Sequence, residues 1–197
     1  MLSLFLNFLR AEQEFSGSRS SFFVAYYTMI KLQHDSTKYY LSSSPLRYNN
    51  GSHQNIAFGT KKGILAETFW TVYPLENQTD IQQGEPIQCG TTLRLNNAAL
   101  QMFLHSHAID GPFNHGQEVS VFDLKDMGDL WTVECDDMWT AATPVYLKHW
   151  ETNKYLSASN NFYPAEFLEG NEIFADNSST NNAWHVRGGI FIGDDEE

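Results

Sequence analysis

Positive charge is scarce in this chain. Its 197 residues hold 12 lysines and arginines against 24 aspartates and glutamates, a formal net charge of −12. A protein that grips DNA or RNA has to neutralise phosphates, and one that rests on anionic lipid has to present a basic face. The balance excludes both. Long apolar runs are missing too. No stretch approaches the ~18–20 apolar residues of a membrane span, so no membrane insertion is expected. No segment keeps a capped 3.6-residue apolar period, which argues against long helices. Catalytic signatures are absent as well: there is no Gly-x-Ser-x-Gly elbow, no glycine-rich phosphate loop before a helix and no His-Glu-x-x-His. The chain is therefore read as non-enzymatic, with no catalytic residue and no cofactor. Apolar residues at 42% and aromatics at 14% are too many for a disordered chain.

The charge is unevenly spread. Residues 1–83 carry seven bases and six acids, whereas residues 84–197 carry five bases and eighteen acids. The N-terminal Met1-Leu-Ser-Leu-Phe-Leu-Asn-Phe-Leu9 has the length of a signal h-region, and small residues at Ser16 and Ser18 suit cleavage after Ser18. Residues 1–18 are thus a candidate signal peptide, although Arg10 follows the apolar run instead of preceding it. Asn50, Asn77 and Asn177 each begin an Asn-x-Ser/Thr acceptor for glycosylation. Both features lean towards the secretory pathway. The last five residues, 193–197, form an acidic tail.

What the chain does have is one pattern written three times. Ile30-Lys31-Leu32, Leu93-Arg94-Leu95 and Val145-Tyr146-Leu147 open the copies, and nine residues later come Leu41, Leu104 and Leu156. Gln54-Asn55-Ile56, Gln117-Glu118-Val119 and Asn171-Glu172-Ile173 follow, and Trp70, Trp131 and Trp184 close each unit. The blocks are short, β-branched or aromatic, and alternating, as in Val119-Ser120-Val121-Phe122, with turn-formers between them. Three units of four strands predict an all-β fold. One unit cannot bury its own apolar face, and three blades are too few for a propeller. The expected architecture is a β-trefoil with pseudo-threefold symmetry over residues 19–192, with repeats at about 24–75, 84–135 and 138–192. Cys89 precedes the first strand of unit two and Cys135 lies four residues past its tryptophan. They form a disulfide in an oxidising compartment, or stay two buried thiols in a reducing one.

Gly84-Glu-Pro-Ile-Gln-Cys-Gly-Thr-Thr-Leu-Arg-Leu95, Leu104-His-Ser-His107, Gly116-Gln-Glu-Val-Ser120 and Leu130-Trp-Thr-Val-Glu-Cys135 resemble the MIR repeat, shared by protein O-mannosyltransferases and by the inositol trisphosphate and ryanodine receptors. Three such repeats and little else resemble the stand-alone stromal cell-derived factor 2-like proteins. Arg47-Tyr48 with Gly51-Ser52, and Trp184 with Gly189-Ile190-Phe191, fit as well. The resemblance implies a lumenal protein of the endoplasmic reticulum without catalytic activity. It would work with an ER J-protein co-chaperone and the lumenal Hsp70 in quality control and the unfolded-protein response. It also implies a second cysteine pair around unit one, where Tyr26 and Ile81 stand instead. Gly193-Asp-Asp-Glu-Glu197 is no retrieval signal, so retention through a partner, or secretion, is expected.

Candidate sites follow from residue type. His105 and His107 share one side of a strand, and with His115 they could offer three imidazoles to a metal. No carboxylate or cysteine stands at a supporting sequence position, so no metal site is assigned. His34, His53, His149 and His185 read as turn or strand-end residues. Asp123, Asp126, Asp129, Glu134, Asp136 and Asp137 read as a solvated acidic face suited to a basic partner. Trefoils often bind sugars, and the kinship with mannosyltransferase modules makes a lectin-like site the alternative function, binding glycan or a glycosylated, unfolded client. Its candidate contacts are Arg47, Tyr48, Asn50, His105, His107, Asn114 and Gln117. Gln117 and its counterparts Gln54 and Asn171 have a competing role in satisfying backbone groups.

Overall fold

The computed structural model describes residues 22–113, 116–178 and 182–190. The candidate signal peptide, the acidic tail, Asn114 and His115 lie outside them. Unit one contributes β1 (Met29–His34), β2 (Tyr40–Arg47), β3 (Asn55–Thr60) and β4 (Trp70–Tyr73). Unit two contributes β5 (Thr92–Asn97), β6 (Phe103–Asp110), β7 (Gln117–Phe122) and β8 (Trp131–Glu134), and unit three β9 (Tyr146–His149), β10 (Tyr155–Phe162), β11 (Asn171–Asp176) and β12 (Trp184–Ile190). Among the described residues the helical elements are two short 3-10 turns, Ala66–Thr68 and Met127–Asp129.

The first and last strands of each unit make a six-stranded barrel. Its pairings run β1–β4, β4–β5, β5–β8, β8–β9 and β12–β1. Reciprocal amide–carbonyl bonds between Val145 and Trp184, 2.9 and 2.8 Å, close the ring. The three middle hairpins, β2–β3, β6–β7 and β10–β11, cap one end, where β3, β7 and β11 pair with one another around the axis. In β1 the apolar alternation is visible directly: Ile30 and Leu32 are buried while Met29, Lys31 and Gln33 are partly exposed.

The repeated residues are the core. Leu41, Leu104, Leu156, Trp70, Trp131 and Trp184 are all fully buried. Each indole N–H donates to the leucine carbonyl of its own unit: Trp70 to Leu41 at 3.0 Å, Trp131 to Leu104 at 3.0 Å and Trp184 to Leu156 at 2.9 Å. The bond lets a tryptophan be buried without an unsatisfied donor. Three residues ahead of each leucine the backbone turns left-handed, at Lys38, Gln101 and Asn153 (φ 62°, 57° and 58°). That conformation disfavours side chains with a Cβ, and asparagine tolerates it best.

The other end of the barrel is sealed by the segments that lead into each unit. Val24 N–H donates to Trp139 C=O, Ile87 to Val24 and Trp139 to Ile87, at 2.8, 3.0 and 2.9 Å. A second ring runs Tyr26 to Glu85, Cys89 to Asp137 and Ala141 to Phe22, at 3.0, 2.9 and 3.0 Å. Val24, Ile87 and Trp139 are fully buried. Cys89 and Cys135 are joined in a disulfide with a Cα–Cα distance of 5.2 Å. Tyr26 holds the place of Cys89 in unit one. The strand register sets Pro74, one residue past Tyr73, where Cys135 stands, not Ile81.

Two further sequence readings change. The counterpart of Gln117 and Asn171 in unit one is Asn55, not Gln54: Asn55, Gln117 and Asn171 occupy the same inter-hairpin register, and all three are buried. His34 and His149 are strand-end residues, closing β1 and β9. Both are buried, with ring centroids 4.9 Å from Trp184 and Trp131, and burial holds the His149 imidazole below its ordinary value. Asp129 belongs to no solvated face, because it is fully buried.

Candidate functional site

Two side-chain constellations stand out. The first is built on β6. His105 is buried, and its Nδ1 lies 2.8 Å from Asp129 Oδ1. The 3-10 turn is a capping box: Asp129 Oδ2 accepts from the Asp126 amide at 3.0 Å and Asp126 Oδ1 from the Gly128 amide at 2.7 Å. Position 128 has to be glycine, since a Cβ would stand 2.6 Å from His105 Cε1. Arg94 Nε approaches Asp129 at 3.9 Å. The His107 ring packs edge-on to that of His105 with centroids 4.6 Å apart, and its nitrogens face Glu151 at 3.0 Å and Asp126 at 3.4 Å. His105, His107 and Asp126 offer ligand atoms within 4.8 Å of one another, a set able to hold a metal ion. The sequence reading found no supporting carboxylate. The fold brings Asp126, Asp129 and Glu151 in from other strands and turns. Burial pushes the Asp126 carboxyl up, but the Gly128 amide and the two imidazoles outweigh it and hold the group below its ordinary value.

The second is a cleft of about 690 Å3 at the capped end, where all three units meet. Unit one supplies Tyr48 and Asn50, unit two Asp110, Phe113 and Glu118, and unit three Tyr163, Glu166 and Phe167. Tyr48 is buried, and its hydroxyl donates to Val119 C=O at 2.9 Å and meets the Tyr163 hydroxyl at 3.3 Å. Burial pushes both phenols well above their ordinary range, and Glu118 and Glu172 add to the shift. Glu118, almost fully buried, accepts from Ser52 Oγ. Its carboxyl is raised, chiefly by burial. Glu172 accepts from the Phe113 amide at 3.3 Å.

Of the expected sugar contacts, Tyr48 and Asn50 line this cleft. Arg47 is exposed but not among the lining residues, and His105 and His107 belong to the first constellation. Gln117 is buried and donates to Ser106 Oγ at 2.7 Å. Asn55 Nδ2 donates to Pro45 C=O at 2.8 Å and Asn171 Nδ2 to Ser159 C=O, which is the work of satisfying polar groups inside each hairpin. Asn50, Asn77 and Asn177 are all exposed. Glu118, Tyr163, Phe113 and Phe167 were missed. A glutamate recurring at the second position of the third block, Glu118 and Glu172, was the available signal.

Three four-stranded units around one axis, with repeated leucine and tryptophan at the core, define a β-trefoil of three MIR repeats. The fold recurs in the structure of the yeast protein O-mannosyltransferase Pmt1-Pmt2 complex bound to the sugar donor (TM-score 0.78, 24% identity, 93% of this chain and 29% of that one). No protein-family model matches the chain. Bovine (Bos taurus) stromal cell-derived factor 2 is 30% identical over 181 residues, covering 89% of this chain and 85% of that protein. The crystal structure of the similar protein from Arabidopsis thaliana superposes with a TM-score of 0.83 at 28% identity, covering 87% and 98%. The chain belongs to the stromal cell-derived factor 2 family. Among the described residues no helix is long and apolar enough to cross a membrane.

Proposed function

We propose that the chain is a non-enzymatic interaction module of the endoplasmic-reticulum lumen or the wider secretory pathway, which scaffolds chaperone action on unfolded or glycosylated clients. Family membership carries this reading, and the disulfide supports the compartment. The partners implied by the resemblance are an ER J-protein co-chaperone and the lumenal Hsp70. Unit two offers them exposed acids, Asp123, Asp126, Asp136 and Asp137, on short loops of a barrel sealed at both ends. Charge arranged this way speeds and steers association with a basic surface. Pull-down from ER extract is expected to recover the J-protein and the Hsp70, with a yield that falls as salt rises. Recovery of the chain without either partner overturns the proposal.

A second reading, glycan binding, draws on the cleft at Tyr48 and Asn50, where an aromatic wall meets polar groups. Saturable binding on a mannose-rich array, lost on Asn50→Ala, would favour it.

A further inference from the structure

The pseudo-threefold axis provides an internal control for each residue near it. Ile56, Glu118 and Glu172 are equivalent, each the second residue in the pairing of one cap strand with the next: Ile56 faces Ser120, Glu118 faces Phe174 and Glu172 faces Phe58. Ile56 is fully buried, so the fold is satisfied there by an apolar side chain. Two of the three copies nevertheless bury a carboxylate, which is costly unless it is compensated. Tyr48, Gly111 and Tyr163 are equivalent as well, their amides donating to Gln54, Gly116 and Gly170 at 3.0, 2.6 and 3.0 Å. Where a third tyrosine would stand the chain has Gly111, which lines the cleft. The cleft is one place where the symmetry is broken.

The breaks share one chemical sense. Asp110, Glu118 and Glu166 face the cleft, and no lysine or arginine lines it among the described residues. Phe113 and Phe167 flank Tyr163, with centroids 5.2 and 6.2 Å away, and both rings are more than a third exposed. Aromatic faces beside carboxylates, without a competing cation, make a receptor for positive charge. A neutral sugar would stack on the rings and donate hydroxyls to the carboxylates, but would leave their charge unbalanced.

We propose that this cleft receives a cationic side chain of a bound polypeptide. Arginine fits better than lysine, because a planar guanidinium stacks on a ring while its fork donates to a carboxylate. The proposal stands on the cleft alone, whether or not the chaperone partners bind.

Amide NMR titration of the whole chain tests it, using a blocked Gly-Arg-Gly peptide, its citrulline counterpart and methyl mannoside. The arginine peptide is expected to shift Gly51, Gly111, Phe113 and Phe167 saturably in the millimolar range. Citrulline, the same shape without charge, should bind about tenfold more weakly. Glu118→Gln and Phe113→Ala should each weaken the arginine peptide about fivefold or more. Phe113 is more than a third exposed and lies outside the core, so its variant keeps the fold even if the buried substitution does not. Equal binding of the citrulline peptide overturns the proposal, as does undiminished arginine binding in both variants. Mannoside shifts at these amides without arginine shifts overturn it too, in favour of a glycan site.

Discussion

Ile56 and Glu118 occupy one position on two copies of the same strand, and the difference between them is titratable. Burial lifts the Glu118 carboxyl above its ordinary value, against the Ser52 bonds that lower it. The folded state therefore keeps a proton at pH values where the unfolded chain has already released it. Fewer protons are bound in the unfolded state, so stability falls as pH rises through that window. Glu118→Gln removes the titration while keeping an acceptor for Ser52. Its melting temperature is expected to exceed the parent's at about pH 7 and to match it at about pH 3, where both states hold the proton. Circular dichroism melts at the two values check this. A gain of equal size at both would show that shape, not ionisation, separates the two side chains.

Among the elements, unit two alone carries a covalent tie between its ends. The bridge spans a sequence separation of 46, and removing it is expected to cost about 3–4 kcal/mol on the loop-entropy estimate. Denaturant unfolding of Cys89→Ser/Cys135→Ser against the oxidised parent measures that cost, and a loss below about 1 kcal/mol would mean that the two hydrogen-bonded rings already hold the unit closed. The four-block pattern was legible because leucine and tryptophan recur at fixed spacing and face one core. The slip from Asn55 to Gln54 was not. The same irregularity stands in all three cap hairpins, at Ser43/Arg47, Ser106/Asp110 and Ala158/Phe162, so it moves no copy against another; what differs is the length of the turn beyond it, from Arg47 to Asn55, from Asp110 to Gln117 and from Phe162 to Asn171. The equivalence of His34 and His149 was hidden too: their counterpart in unit two is Asn97, so residue type masked what the pairings with Trp184, Trp131 and Trp70 reveal. The cleft was the least legible. Tyr48, Glu118 and Tyr163 come from three different units, and spacing along one copy says nothing about residues that meet across three.

For the molecule as a whole, closure is shared. Each sealing amide bonds to a carbonyl of another unit, and the β12–β1 seam joins the two ends of the fold. A fragment of residues 22–135, units one and two alone, lacks Trp139 for the ring and β12 for the seam. It is expected to melt without a cooperative transition, whereas the full chain melts in a single step. A sharp melt of the fragment would show that two units suffice. The same dependence bears on synthesis. A chain leaving the ribosome releases Val24 long before Trp139, and Ile30 long before Gly189, its partner across the seam. Until the last strand is out, β1 of the first unit lacks its partner across the seam and the barrel stays open. For most of its translation the chain would therefore carry an open seam strand, exposed to whatever binds unfolded polypeptide.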